Sequence, residues 1–140
     1  MRYMGLDLGT RSVGVSLSDR TNTIASPYKT IFFKEGDYTT AIEELKEIVS
    51  KENITEFVLG LPKNMNNTLG EAAKRSIDFK KMLETTFDCK VNLVDERLTT
   101  VQAEHILLAS DKSRQKRKKI IDNVASSIIL ETFLKGLKHE

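Results

Sequence analysis

The chain has 140 residues, 39% hydrophobic and 30% charged, with a formal net charge of +2, which fits one globular domain, 1–140, able to bury a core without staples. No apolar run approaches the ~18–20 residues that cross a bilayer, and Asp7 and Arg11 interrupt any leader-like stretch, so neither a membrane partner nor secretion is expected. The single cysteine, Cys89, excludes an internal disulfide framework and suits a cytoplasmic protein.

Residues 2–8 form an apolar run that leads into Asp7. Gly9, Thr10, Arg11 and Ser12 make a tight reversal, and Val13, Val15 and Leu17 then alternate with small residues out to position 19. The pattern predicts two antiparallel strands joined by a short turn, with a carboxylate beside it. Thr23 to Phe33 predicts a third strand, which Pro27 places at a sheet edge or a bulge. After a loop at 34–37, Ala41, Ile42, Leu45, Ile48 and Val49 recur at helical spacing, giving a helix over 38–51. Glu56 to Leu61 is a short buried-type strand stopped by Pro62. Lys63 to Gly70 is a polar loop, followed by a helix over 71–86. Val91 to Glu96 is the fifth strand and ends in two acids. Thr99 and Gln102 fit a capping box for a helix to about 109. Residues 111–119 read as a charged loop and 120–137 as the last helix. The order βββαβαβαα predicts an α/β fold. Its mixed five-stranded sheet has three antiparallel plus two parallel strands, with helices on both faces.

Two strands end in acids, one at Asp7 and one at Asp95 and Glu96. If those strands are parallel neighbours, their carboxylates share one rim, where ligands of open α/β sheets gather. A third acid, Asp122, lies near the start of the last helix, with Ala125, Ser126 and Ile129 at helical spacing from it. It therefore flanks the packed face. Three acids with only carboxylate chemistry in common point to a hard divalent cation such as Mg²⁺, which takes oxygen ligands and is shared with substrate phosphate. Each acid also has a structural reading. Asp7 can bond turn N–H groups, Glu96 can pair with Arg97, and Asp122 can stabilise the helix dipole.

The net charge hides an asymmetry, since residues 112–140 carry +5 and residues 1–111 carry −3. Six of the eight residues from 112 to 119 are basic: Lys112, Arg114, Lys116, Arg117, Lys118 and Lys119. A charge run alone is most often a solvated loop, but one directly before Asp122 is positioned to neutralise nucleic-acid phosphates. Arg11 beside Asp7 and Arg97 beside Glu96 are further phosphate candidates through their planar forks, or ion-pair partners of those same acids. Lys63 and Asn64 follow a strand end and line the rim. Nothing encodes base readout, which leaves substrate choice to nucleic-acid shape. No rival hydrolase constellation stands out. His105 and His139 lack a partner motif, and Cys89 reads as a small hydrophobe.

Four stretches carry a resemblance across nearly the whole chain: Asp7-Leu-Gly-Thr-Arg-Ser-Val-Gly-Val-Ser16, Gly60-Leu-Pro-Lys-Asn-Met65, Asp95-Glu-Arg-Leu-Thr-Thr100 and Lys118-Lys-Ile-Ile-Asp122. In order and spacing they resemble the YqgF family, also called RuvX, of the RNase H-like superfamily. The resemblance implies an RNase H-like fold and a nuclease that matures the 5′ end of the 16S rRNA precursor during ribosome biogenesis. Its partner would be the pre-rRNA or a pre-ribosomal particle. The family's earlier description as a Holliday junction resolvase implies four-way DNA instead. By the same resemblance Asp7, Glu96 and Asp122 are catalytic ligands of one or two Mg²⁺ or Mn²⁺ ions. The chain departs from the family pattern at Asn66-Asn67, where Asp-Gly is more frequent. Two other readings stay open. One is a non-catalytic RNA-binding assembly factor that uses the basic run alone. The other is an ATP-binding protein, because Asp-Leu-Gly-Thr followed by a hairpin also resembles the phosphate-binding opening of actin and Hsp70.

Overall fold

A computed structural model of the chain describes residues 2–62, 70–95 and 114–138, with the backbone alone for 114–123 and 138. The elements run β1 (Tyr3–Leu8), β2 (Ser12–Ser18), β3 (Ala25–Phe32), α1 (Tyr38–Glu52), β4 (Glu56–Leu61), α2 (Glu71–Phe87), β5 (Lys90–Asp95) and α3 (Arg114–Lys138). The strand order is β3-β2-β1-β4-β5. The first three strands form an antiparallel meander, and β4 and β5 extend it in parallel from β1. This is the mixed five-stranded sheet that the element order predicts.

Two expectations need correction. β1 and β5 are not neighbours, because β4 lies between them. A meander has two free edges, and here Pro27 removes a donor from the β3 edge. The later strands lie beyond the β1 edge instead, and β4, the first of them in the chain, takes the adjacent place. The last helix also begins at Arg114 rather than 120. Lys, Arg and Gln lose little rotamer freedom in a helix, and no Gly or Pro interrupts residues 111–119. The charge run is therefore mostly helix and not a loop. The expected helix ending near 109 and the loop 63–69 lie outside the described residues.

Pro27 meets both of its expectations. β3 is the edge strand, and Pro27 opposes Ser16 while Lys29 opposes Val15, which leaves Tyr28 as a bulge. Asp37 caps α1 by accepting from the Thr40 N–H at 3.4 Å.

The two sheet faces are built from different residues. On one, Met4, Leu6, Val13, Val15, Phe57, Leu59 and Val91 pack against Ala41, Ile42, Leu45 and Ile48 of α1 and Phe79 and Leu83 of α2. On the other, Tyr3 and Val58 pack against Ile129, Leu130 and Leu134 of α3. There α3 settles onto Gly5. The Ser126 hydroxyl donates to the Gly5 carbonyl at 2.8 Å, and the Ser16 hydroxyl donates to the Ser126 carbonyl at 2.9 Å. A Cβ on Gly5 would stand 2.8 Å from Leu130 Cβ and 2.9 Å from the Ser126 carbonyl oxygen. Only glycine permits that approach.

Candidate active site

β1, β4 and β5 run parallel, so their carboxyl ends share one rim. The β1–β2 turn closes at the same rim, where the Gly9 N–H donates to the Ser12 carbonyl at 2.7 Å. Asp7 stands there, half-buried. Alternation along β1 puts Asp7 on the Tyr3 and Gly5 side, which is the α3 face. Its antiparallel partner is Gly14, and the pairing of Leu6 with Leu59 sets Asp7 level with Gly60. Neither neighbour in that row has a side chain. The middle of the row is left to the Asp7 carboxylate and to α3.

Asp95 pairs with Leu61, one step past the Gly60–Val94 pair. Since Val94 packs on the α3 side, the pleat turns Asp95 to the opposite face from Asp7. Glu96, the next residue, lies outside the described residues.

α3 runs antiparallel to β1. Its Phe133 ring meets Tyr3 edge-on at 5.4 Å, and its earlier residues Ser126 and Leu130 meet Gly5. From residue 126 back to 122 the helix advances ~6 Å, and from Gly5 to Asp7 the strand advances ~6.6 Å. The backbone of residue 122 therefore arrives at the level of Asp7. Its side chain is not described. Among the described residues no group of three or more His, Cys, Asp or Glu assembles.

Continuing toward the helix start, residue 119 is ~10 Å and residue 114 ~18 Å from the level of Gly5, while β1 ends ~10 Å from it. The backbone positions of Arg114, Lys116, Arg117, Lys118 and Lys119 thus lie at the rim or overhang it. The first turn of α3 contains no acid. Its cations add to the positive end of the helix dipole instead of offsetting it.

Arg11 is exposed in the β1–β2 turn, and its Nη2 lies 3.7 Å from Glu35 Oε2. The ion pair that the structure shows for it is with Glu35, not with the adjacent Asp7. Both side chains are largely in solvent, so the pair contributes little. Lys63, Asn64, Arg97 and Lys112 lie outside the described residues. Cys89 is half-buried and donates to the Phe87 carbonyl at 3.2 Å. Burial, aided by Asp88 and Glu56, pushes its thiol up, which disfavours a nucleophilic thiolate.

Sequence reasoning missed the Gly14–Asp7–Gly60 row and the Ser16–Ser126 clamp. The signals were present. A glycine inside the apolar run Phe57 to Leu61, and serines inside the apolar stripe of α3, both mark places where two backbones come close.

A family model described as "RuvX: Holliday junction resolvase" matches residues 1–136. A Bacillus subtilis protein named "Putative pre-16S rRNA nuclease" is 47% identical over 137 residues, covering 98% of this chain and 99% of its own. A protein of the same name from Pediococcus pentosaceus is 46% identical, covering 97% and 94%. Among solved structures, T. thermophilus RuvC in complex with Holliday junction substrate aligns with a TM-score of 0.60 at 11% identity, covering 99% of this chain and 96% of that one. Fowlpox virus resolvase with its Holliday junction DNA aligns at 0.55 and 15% identity, covering 98% and 99%. At such identities the likeness carries the fold.

Proposed function

This chain belongs to the RuvX family, and on that premise we propose that it is a metal-dependent nuclease, one domain over 1–140. It hydrolyses phosphodiester bonds in maturing the 5′ end of 16S rRNA, in the cytoplasm. Asp7, Glu96 and Asp122 hold one or two Mg²⁺ or Mn²⁺ ions. The donor set fits such ions, because every member is a carboxylate oxygen. A bound divalent cation stabilises charge on the phosphoryl oxygens and lowers the pKa of an attacking water.

The observation that carries this reading is the antiparallel run of α3 over β1. Contacts at Tyr3 and Gly5 are followed, one helical turn and two strand residues on, by positions 122 and 7 at one level. The rest of the chain binds and orients. The β1–β2 hairpin holds Asp7 against a rigid sheet. Arg11, Lys63, Arg97, Lys112 and the cations of α3 from Arg114 to Lys119 neutralise substrate phosphates, so binding weakens with salt, and the Asn64 amide offers them a hydrogen bond. The RuvX match spans the stretch that resembles an actin-type opening, and the ATP-binding reading is not carried forward. The description of the family as a Holliday junction resolvase makes four-way DNA the second substrate to test.

Asp7→Asn decides the matter when assayed with Mg²⁺ or Mn²⁺ on both 16S precursor and four-way junctions. Cleavage is expected to fall at least about a hundredfold, as loss of a metal ligand worth several kcal/mol requires, while nucleic-acid binding persists. Undiminished cleavage by the pure variant would remove Asp7 from the metal site. RNA binding by the wild type with no cleavage of either substrate would favour the non-catalytic assembly factor.

A further inference from the structure

Phe32 ends β3 and is 57% exposed. It pairs with Ser12, and Thr30, two residues earlier, pairs with Gly14, which itself pairs with Asp7. Directly paired residues share a face, so Phe32 lies on the same face as Asp7 and at the same rim. Two strand spacings and two residues separate them, or ~12 Å. That is about three to four stacked nucleotides at ~3.4 Å each. The strand end is held in place, because the Phe33 N–H donates to the Arg11 carbonyl at 2.9 Å and the Phe33 ring is buried against Tyr38 on the opposite face. Exposed charges stand nearby, Arg11 in the adjacent turn, where it pairs with Glu35, and Lys34 two residues on. Ile24 is as exposed, at 60%, but it sits at the opposite pole, remote from the rim.

A largely exposed aromatic residue on a strand end held by the sheet, with cations in the neighbouring turns, has the composition of a single-strand stacking platform. Resting on the nuclease reading above, we infer that Phe32 stacks on an unpaired base of the nucleic-acid substrate a few nucleotides from the phosphate presented to Asp7. The platform is sequence-tolerant, because every base has a π-face. It selects substrates with an unpaired segment beside the cleavage point over fully paired ones.

The chain contains no tryptophan, so Phe32→Trp installs a single fluorescent reporter. The full-length variant is titrated, in metal-free buffer to prevent cleavage, with a single-stranded oligoribonucleotide and with the paired duplex of the same sequence. The single strand is expected to quench the tryptophan and the duplex to leave it unchanged. In fluorescence anisotropy, Phe32→Ala and Phe32→Leu should each weaken single-strand binding roughly tenfold, the scale of one lost base–aromatic stack. Their duplex affinity and melting temperature should match the wild type. Phe32→Leu keeps the apolar bulk and removes the π-face, which separates stacking from mere burial. Saturating single-strand binding without quenching, or unchanged affinity in both variants, overturns this inference and leaves the nuclease reading intact. Failure of the wild type to bind either nucleic acid overturns both.

Discussion

The two faces of the sheet solve the same packing problem in opposite ways. Toward α1 and α2 the strands present large aliphatic and aromatic side chains, with Phe57, Met4, Leu6 and Leu59 fully buried. Helices there are held off by side-chain bulk and stabilised by area removed from water. Toward α3 the central strands present Gly5, Gly14, Ser16 and Gly60, and the helix comes close enough for the Ser126 hydroxyl to bond the strand backbone and the Ser16 hydroxyl to bond the helix backbone. The first arrangement supplies stability and tolerates small shifts. The second gives up apolar burial for a defined separation between α3 and β1, and under the proposed function that separation would set how residue 122 and Asp7 share one cation.

Phe57→Ala tests the first face and should have the largest effect on stability. It empties a fully buried site and should lower the unfolding free energy by about 3–5 kcal/mol, read from urea denaturation. Gly5→Ala tests the second face. The added methyl must displace the Ser16 hydroxyl, Leu130 and the Ser126 backbone together, at a cost of about 1–3 kcal/mol. The sharper difference is in activity. At a temperature where both variants are folded, Phe57→Ala should keep metal-dependent cleavage and Gly5→Ala should lose most of it. Equal loss in the two would mean that the close approach of α3 has no special bearing on the site.

The smallest effect belongs to the pole opposite Asp7. There Asp19 accepts from the Thr21 hydroxyl at 2.7 Å and from the Thr23 and Ile24 N–H groups at 2.8 and 3.1 Å. The Thr21 hydroxyl, followed by the Ile24 and Thr23 N–H groups, holds its carboxyl down at about 2. The folded value lies below the ordinary ~3.9, so its stabilising contribution is complete above about pH 4 and is lost as pH falls through 2. A carboxyl ¹³C titration should show Asp19 ionised at pH 3. Asp19→Asn should lower stability above about pH 4, flatten the acid limb of the stability curve, and leave cleavage at neutral pH unchanged. A midpoint near 3.9 would break the turn assignment.

Much of this arrangement is readable along the chain. The β1–β2 hairpin around Asp7 shows as period-2 alternation on both sides of a Gly-Thr-Arg-Ser reversal. Pro27 marks the edge and the bulge, and the apolar spacing of α1 and α2 places their ends within a residue. Each of these signals is local, since a strand's pleat, a helix's turn and a proline's missing donor act within a few positions. The start of α3 was misread because charge density signals solvent exposure and not backbone conformation. Lys and Arg are good helix formers that happen to dislike burial.

The sequence by itself determined the five strands, α1 and α2, and the rim at which Asp7 stands. Tertiary structure alone decided that β4 separates β1 from β5. It also decided that α3 lies on Gly5 through Ser126, two residues 121 positions apart. Strand adjacency and helix approach depend on which side chains are absent from a shared face. No periodicity within one segment records what a distant segment leaves empty.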